Sequence, residues 1–167
     1  MQRSHRLTGL FAYTLIEILL VISIIGVAVV AAIPTVSKFV YTQYAALTIR
    51  QIQQAINYAR SEAILHHQTV TICPSFNRYN CSNNWGQGLL VLVPNGNSRF
   101  FPTYVNSQVQ LSLVQSGFSN NSVQIQANGL SYTNGHFTYR ALNSTYIPQF
   151  NLYFNRALRT YASMDGY

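Results

Sequence analysis

An apolar stretch without a charged side chain occupies residues 18–37, and leucine, isoleucine, valine and alanine dominate it. About 20 such residues are long enough to cross a bilayer as one helix. A lone carboxylate, Glu17, lies at the head of the stretch. An ionisable group there costs free energy unless it reaches the interface, lies at the positive end of the helix dipole or finds a partner. The stretch therefore predicts a membrane-spanning helix with a candidate functional residue at its beginning.

The residues around Glu17 carry a family resemblance. A short basic leader with Arg3 and Arg6 precedes Phe-Ala-Tyr-Thr-Leu-Ile-Glu at residues 11–17, and the apolar run and Pro34 follow. This pattern resembles the class III prepilin signal of type IV pilins and type II secretion pseudopilins. An ordinary secretory signal cleaved near Ala32 is the alternative, but it leaves Glu17 unexplained.

The resemblance implies processing by a prepilin peptidase, which would cut between Ala12 and Tyr13 and methylate the new amine of Tyr13. Glu17 would then be the fifth mature residue, and Pro34 would occupy the position where the family keeps a proline. The chain departs from the family in having Ala12 where glycine is usual before the cut. The implied role of Glu17 is assembly, through a pair with the N-terminus of a neighbouring subunit.

Charge asymmetry gives the expected orientation and domain organisation. Basic residues before the apolar stretch place the leader in the cytoplasm and the bulk of the chain outside it. We therefore expect a leader at 1–12, a transmembrane or filament-core helix at 13–37 and a periplasmic globular domain at 38–167. The resemblance implies a single-pass protein of the bacterial inner membrane that moves to the tip or base of a filament.

Helical periodicity continues beyond Pro34 but becomes amphipathic, which favours packing against a sheet. One long helix over residues 13–65 is predicted, with a bend or a local loosening at Pro34. The residues of its apolar stripe recur at spacings of three and four: Ala45, Ile49, Ile52, Ile56, Ala59 and Ala63.

Beyond His67 the pattern changes to short strands and turns. Turns are predicted at residues 94–97, at Asn128-Gly129 and at Asn134-Gly135, because asparagine and glycine tolerate positive φ. The sum is an α+β fold, in which a long N-terminal α-helix packs on an antiparallel β-sheet, and the resemblance implies that this fold is pilin-like. The strand candidates are residues 69–72, 89–93, 109–114, 123–126, 137–141 and 149–154.

Two cysteines, Cys73 and Cys81, are the only ones in the chain. Outside the cytoplasm such a pair normally oxidises to a disulfide. Two metal-ligating thiolates are the alternative, but no further cluster completes a tetrahedral site. The sequence Thr-Ile-Cys-Pro-Ser at 71–75, with Cys81 and Trp85, resembles the minor pseudopilin H and FimT/FimU branch of the pilin family.

Catalysis finds little support in the sequence. Charged residues are 8% of the chain, and the only acids are Glu17, Glu62 and Asp165. No nucleophile–base grouping, phosphate loop or carboxylate pair emerges. Adjacent helical residues such as His66 and His67 point in different directions and would not face one metal ion together. We therefore expect a non-enzyme without a cofactor or a metal.

Basic and aromatic residues interleave near the C-terminus, at Tyr153, Arg156, Arg159 and Tyr161. Arginine can hold phosphates and tyrosine can stack on bases. The stretch resembles, imperfectly, the C-terminal Gly-Arg-x-Arg motif of FimT-type minor pilins used in DNA uptake. A strand would place Arg156 and Arg159 on opposite faces, whereas a turn could bring them together. A solvated edge strand protected by charge is the alternative.

The leading hypothesis is a minor pilin or pseudopilin that takes part in filament assembly, for protein secretion or pilus biogenesis. Its implied partners are other pilins or pseudopilins, the prepilin peptidase and the inner membrane. The second hypothesis is a FimT-like minor pilin that binds DNA for uptake. A third is a secreted enzyme or adhesin with a hydrophobic N-terminus.

Overall fold

The computed structural model describes residues 14–116, 121–142 and 149–165, and within them it leaves out the side chains of Ala31, Ala32, Pro34, Thr35 and Asp165. The predicted leader and the cleavage site at Ala12 and Tyr13 lie outside the described residues. The chain divides into two compact units, the first ending at Phe39 and the second beginning at Val40.

One helix, α1 (Leu15–His66), contributes residues to both units and confirms the predicted long helix. Thr14 caps its beginning, because the Glu17 N–H donates to both the carbonyl oxygen and the Oγ1 of Thr14, at 3.0 and 3.3 Å. Threonine followed three residues later by glutamate is the sequence pattern of a capping box. The helical backbone continues through Pro34.

In the first unit, the large apolar side chains of α1 that the structure describes are exposed, from Leu15 at 77% to Phe39 at 62%. No helix in the described part of the chain has both the length and the apolarity that a membrane crossing requires.

In the second unit, one face of α1 is buried against the core. The predicted apolar stripe is confirmed, since five of its members are fully buried and Ile49 is 9% exposed. Alanines at this spacing let neighbouring backbone approach the helix closely, and the isoleucines between them supply apolar surface. The fully buried members are Ala45, Ile52, Ile56, Ala59 and Ala63.

The described residues of the second unit contain the strands β1 (Val70–Pro74), β2 (Leu89–Leu92), β3 (Arg99–Phe101), β4 (Val109–Gln115), β5 (Val123–Ile125), β6 (Gly135–Ala141), β7 (Gln149–Phe154) and β8 (Thr160–Asp165). Within these residues the strands form two four-stranded antiparallel sheets, of order β3-β2-β1-β5 and β4-β6-β7-β8. All six strands predicted from the sequence are present, and β3 and β8 were not predicted.

Two of the predicted glycine turns are confirmed and the third is wrong. Asn95 has φ 55° in the turn between β2 and β3, and Gly129 has φ 75° in the turn after β5. Gly135, by contrast, begins strand β6, and the Asn134 side chain accepts a hydrogen bond from the Arg156 N–H at 2.9 Å. Asn134 therefore fixes a distant loop instead of a local turn.

Aromatic side chains connect α1 to the second sheet. The rings of Tyr41 and Tyr139 lie 5.3 Å apart, and the Tyr139 hydroxyl donates to the Tyr104 carbonyl at 2.9 Å. Burial raises the pKa of Tyr41 to about 12, although a hydrogen bond to the Ala141 backbone lowers it somewhat. Burial also raises the pKa of Tyr139. Both phenols are therefore neutral at physiological pH.

The predicted disulfide between Cys73 and Cys81 is confirmed, with a Cα–Cα distance of 5.5 Å. It closes a short loop after β1. Within the loop, the Asn77 Oδ1 accepts hydrogen bonds from the N–H groups of Tyr79 and Asn80, at 3.0 and 2.9 Å. A bridge across so short a loop contributes about 2–3 kcal/mol in the chain-entropy account.

Candidate functional site

Three aromatic rings form a row across the second sheet. Tyr153 on β7 is the register partner of Tyr161 on β8, and their rings stack at 4.8 Å with an interplanar angle of 10°. His136 on β6 is the register partner of Tyr153 on the other side, at 4.9 Å and 36°. These spacings match the separation of neighbouring strands, about 4.8 Å. We call His136, Tyr153 and Tyr161 the aromatic row.

The two candidate arginines lie in the connection between β7 and β8, not within a strand. Arg156 belongs to the turn, and Arg159 immediately precedes β8; both side chains are exposed. The Asn155 N–H donates to the Arg159 carbonyl at 3.3 Å, and the Asn155 Oδ1 accepts from the Arg159 N–H at 3.0 Å. The sequence left open whether Arg156 and Arg159 lie in a strand or in a turn. The structure places both of them in the turn-containing connection.

Contacts from elsewhere in the second unit hold this turn in place. The Arg60 guanidinium of α1 donates to the Ala157 carbonyl at 3.3 Å, and the Ser131 N–H donates to the Arg156 carbonyl at 2.8 Å. Leu158 adopts φ 56° and is only 5% exposed. A buried leucine at positive φ requires support from its surroundings. The arginine backbones are consequently anchored while their side chains face solvent.

An open groove of roughly 620 Å³ runs beside the aromatic row. The row and Arg159 line it, together with polar side chains that include Gln115 and Asn134. Three of the four residues predicted for DNA binding, Tyr153, Tyr161 and Arg159, are thus brought together, whereas Arg156 lies outside the lining. None of the described residues that line the groove is acidic.

His136 is the groove residue that the sequence analysis missed as a functional candidate. It reaches the tyrosines because β6 pairs with β7 in a register that places it beside Tyr153. The alternation of β6 indicates which face His136 occupies, but the pairing of distant strands is needed to supply its neighbour. Among its described lining residues, the groove offers the permanent cation of Arg159, the imidazole of His136 and exposed ring surface. Such a set can hold an anionic group and stack a flat ring.

The residues assigned to assembly lie at the other end of the sequence. Glu17 is exposed in the first turn of α1, where the positive end of the helix dipole favours a carboxylate. The helix backbone includes Pro34, whereas Ala12 and Tyr13 lie outside the described residues. The peptidase site and the pairing of Glu17 therefore stay predictions.

Histidines do not form a metal site in the described part of the chain. His66 ends α1 with its Nε2 3.2 Å from the Glu62 carboxylate, and His67 follows with φ 52°. Within residues 14–116, 121–142 and 149–165, no group of three or more histidine, cysteine or acidic side chains could hold an ion. Both cysteines of the sequence are joined to each other.

Comparisons with known proteins agree with this architecture. A family profile described as "Type II transport protein GspH" matches residues 48–152. The crystal structure of the type IV minor pilin FimU of Pseudomonas aeruginosa is similar at TM-score 0.53 and 17% identity, over 73% of this chain and 89% of FimU. The minor pseudopilin EpsH of the Vibrio cholerae type 2 secretion system gives TM-score 0.49 and 12% identity, over 72% and 96%. Among curated proteins, none matches significantly in sequence. The predicted pilin-like α+β fold is confirmed.

Proposed function

Because the chain belongs to the family of type II transport protein GspH, we propose that it is a minor pilin or pseudopilin that takes part in assembling a filament. The filament would belong to a type II secretion system or a type IV pilus. The observation that carries this proposal is the family match over residues 48–152. The exposed apolar side chains at the beginning of α1 also support it, because they offer a surface for neighbouring subunits.

The proposed mechanism begins at the inner membrane, where residues 13–37 hold the chain and the globular domain faces the periplasm. The prepilin peptidase removes residues 1–12 and methylates the Tyr13 amine. As the helix leaves the bilayer, the Glu17 carboxylate pairs with the N-terminal amine of a neighbouring subunit. In apolar surroundings this pair specifies the register of assembly, since leaving either charge alone is costly.

The exposed side chains of the first unit support this mechanism. Among the described side chains from Leu15 to Phe39, fifteen large apolar ones are exposed and would face water in an isolated chain. Large exposed apolar surfaces mark contacts with partners or membranes. The exposed large residues of this part include Leu15, Ile25, Val27, Val30 and Phe39.

Recovery of the chain with filaments tests the proposal. In cells that express it with the remaining filament components, sheared and pelleted filaments should contain the processed chain at a small ratio to the major subunit. Retention of all of the chain in the membrane fraction of cells that make filaments would contradict the proposal.

A second candidate function is DNA binding in the manner of FimT-type minor pilins. The observation that favours it is the groove in which Arg159 and the aromatic row come together, and in which none of the described lining residues is acidic. An arginine beside exposed rings can contact a phosphate and a base of the same nucleotide.

Replacing Arg156 and Arg159 by alanine should weaken DNA binding by the full chain about tenfold or more at low salt. The dependence of log affinity on log salt should lose about 2 in slope, one for each phosphate contact removed. Mobility shifts at rising salt measure both quantities. A double variant of the exposed Arg50 and Arg78 is the matched control, because it loses the same charge away from the groove that Arg159 lines and from the turn that holds Arg156. Equal losses of DNA affinity in the two double variants would show that net charge alone explains the weaker binding. That result would contradict a role for the groove.

A further inference from the structure

Strand β8 forms one edge of the second sheet, and its sequence gives that edge little protection. All six of its residues pair with β7. Residues 160–164 include no lysine, arginine or proline, which are the residues that usually keep sheet edges from pairing with other chains. The opposite edge strand, β4, is flanked by residues 83–87 across a groove. The β8 edge is therefore the one suited to further pairing.

The hydrogen-bond pattern identifies the backbone groups that β8 presents to this edge. The Asn155 N–H donates to the Arg159 carbonyl, and the Arg159 N–H donates to the Asn155 side chain, so both backbone groups of Arg159 face the β7 side of the ladder. Hydrogen-bonded pairs alternate along an antiparallel ladder, and Tyr161 and Ser163 therefore direct their backbone groups toward β7. By the same alternation, Thr160, Ala162 and Met164 direct their N–H and C=O groups toward the open edge.

Side chains on both faces of β8 are also exposed. Tyr161 on the outer face is 63% exposed and ends the aromatic row, and Met164 on the other face is 57% exposed. Ala162 is exposed between them. An added strand would therefore cover apolar surface as well as backbone groups.

We propose that β8 pairs with β8 of a second copy of this chain, antiparallel and about a two-fold axis at Ala162. This register places Thr160 opposite Met164 and Ala162 opposite its own counterpart, so that the edge-facing backbone groups of the two copies meet. Tyr161 falls opposite Ser163 of the other copy. The two sheets then join into one sheet of eight strands.

Charge complementarity selects this register. With the axis at Ala162, position 159 of each copy lies opposite position 165 of the other, and these positions hold arginine and aspartate. Opposite charges facing each other across an antiparallel pair are favourable, and like charges are not. The alternation also allows a two-fold axis at any other residue from Thr160 to Met164, but each of these would separate Arg159 from Asp165. Exchanging the charges at positions 159 and 165 therefore tests the register directly.

This pairing does not depend on the proposed filament function, because it uses only the second sheet. It also differs from the contacts with neighbouring subunits that we propose for the helix of the first unit. A strand donated by an unrelated protein is the other possible occupant, and it would leave the purified chain unpaired at this edge.

Disulfide trapping tests the proposal on the full chain in detergent micelles. Both native cysteines are already bonded to each other, so Ala162→Cys introduces the one free thiol. Residues of a hydrogen-bonded antiparallel pair lie about 5.5 Å apart, within disulfide range. Mild oxidation should convert most of the Ala162→Cys chain to a covalent dimer on a non-reducing gel. Gln110→Cys, at an exposed position of β4, is the control and should stay monomeric.

Charge reversals in the Ala162→Cys background test the register. Arg159→Asp and Asp165→Arg each place like charges at both ends of the pairing, and each should lower the yield of covalent dimer about fivefold. The combined swap restores opposite charges and should bring the yield back within about twofold of the starting variant. Equal trapping at Gln110→Cys, no trapping at Ala162→Cys, or yields indifferent to all three charge changes would each overturn the proposal.

Discussion

Glu17→Ala should leave the chain in the membrane but lower its recovery with filaments about 100-fold. The proposed pair joins the Glu17 carboxylate to a neighbour's N-terminal amine within apolar surroundings. Removing one member of such a buried pair leaves an uncompensated charge, which costs about 3–5 kcal/mol. A loss of about 3 kcal/mol corresponds to roughly a hundredfold change in an association constant. Immunoblots of membrane and sheared-filament fractions measure the two populations.

Two further variants separate the charge of Glu17 from its place in the helix. Glu17→Gln keeps the capping-box pattern with Thr14 but removes the charge, because glutamine serves at this position of the box. It should fail in assembly like the alanine variant. Glu62→Ala removes a carboxylate from the same helix and should assemble normally, since Glu62 contacts His66. Normal assembly of Glu17→Gln would assign Glu17 to helix capping.

Phe137→Ala should lower the free energy of unfolding by about 3–5 kcal/mol, the usual cost of emptying a buried phenylalanine site. Phe137 is 1% exposed and lies on β6. Its ring meets Trp85 edge-on at 5.0 Å and lies 5.9 Å from Phe154. It therefore links the segment after the disulfide loop to the second sheet, and alanine would leave a cavity between them.

Thermal unfolding followed by near-ultraviolet circular dichroism measures this loss, because Trp85 is the only tryptophan. Phe76→Ala is the matched control, since Phe76 is 66% exposed. Its stability should change by no more than about 0.5 kcal/mol, as is usual for surface positions. Similar losses at both sites would show that the contacts of Phe137 do not stabilise this fold as described.

Patterns within a single segment predicted the buried stripe of α1 and the disulfide, because neither depends on the pairing of distant segments. The stripe from Ala45 to Ala63 followed from helical spacing alone, and the Cys73–Cys81 bridge followed from the location that the sequence predicts, outside the cytoplasm. Strand β3 was missed because it is only three residues long and Pro102 follows it directly. Strand β8 was missed because its sequence, Thr-Tyr-Ala-Ser-Met-Asp, lacks the strict apolar–polar alternation that indicates a strand.

The candidate site was only half predictable for a different reason. Tyr153 and Tyr161 were recognised by residue type, but their stacking depends on a turn in which Leu158 adopts a positive φ. Leucine rarely adopts this conformation, so its sequence gives no sign of it. His136 joins the row through the pairing of β6 with β7, and Asn134 fixes the turn across 22 residues. Contacts between segments that are distant in the sequence cannot be predicted from any one of those segments.

The mass of the mature N-terminal peptide tests the central claim most directly, because the pairing of Glu17 requires a new amine four residues before it. Intact chain recovered from filament-producing cells should yield a peptide that begins at Tyr13 and carries one added methyl group on its amine. A mature chain that begins near Ala32, or one that retains Met1 in assembled filaments, would contradict the account.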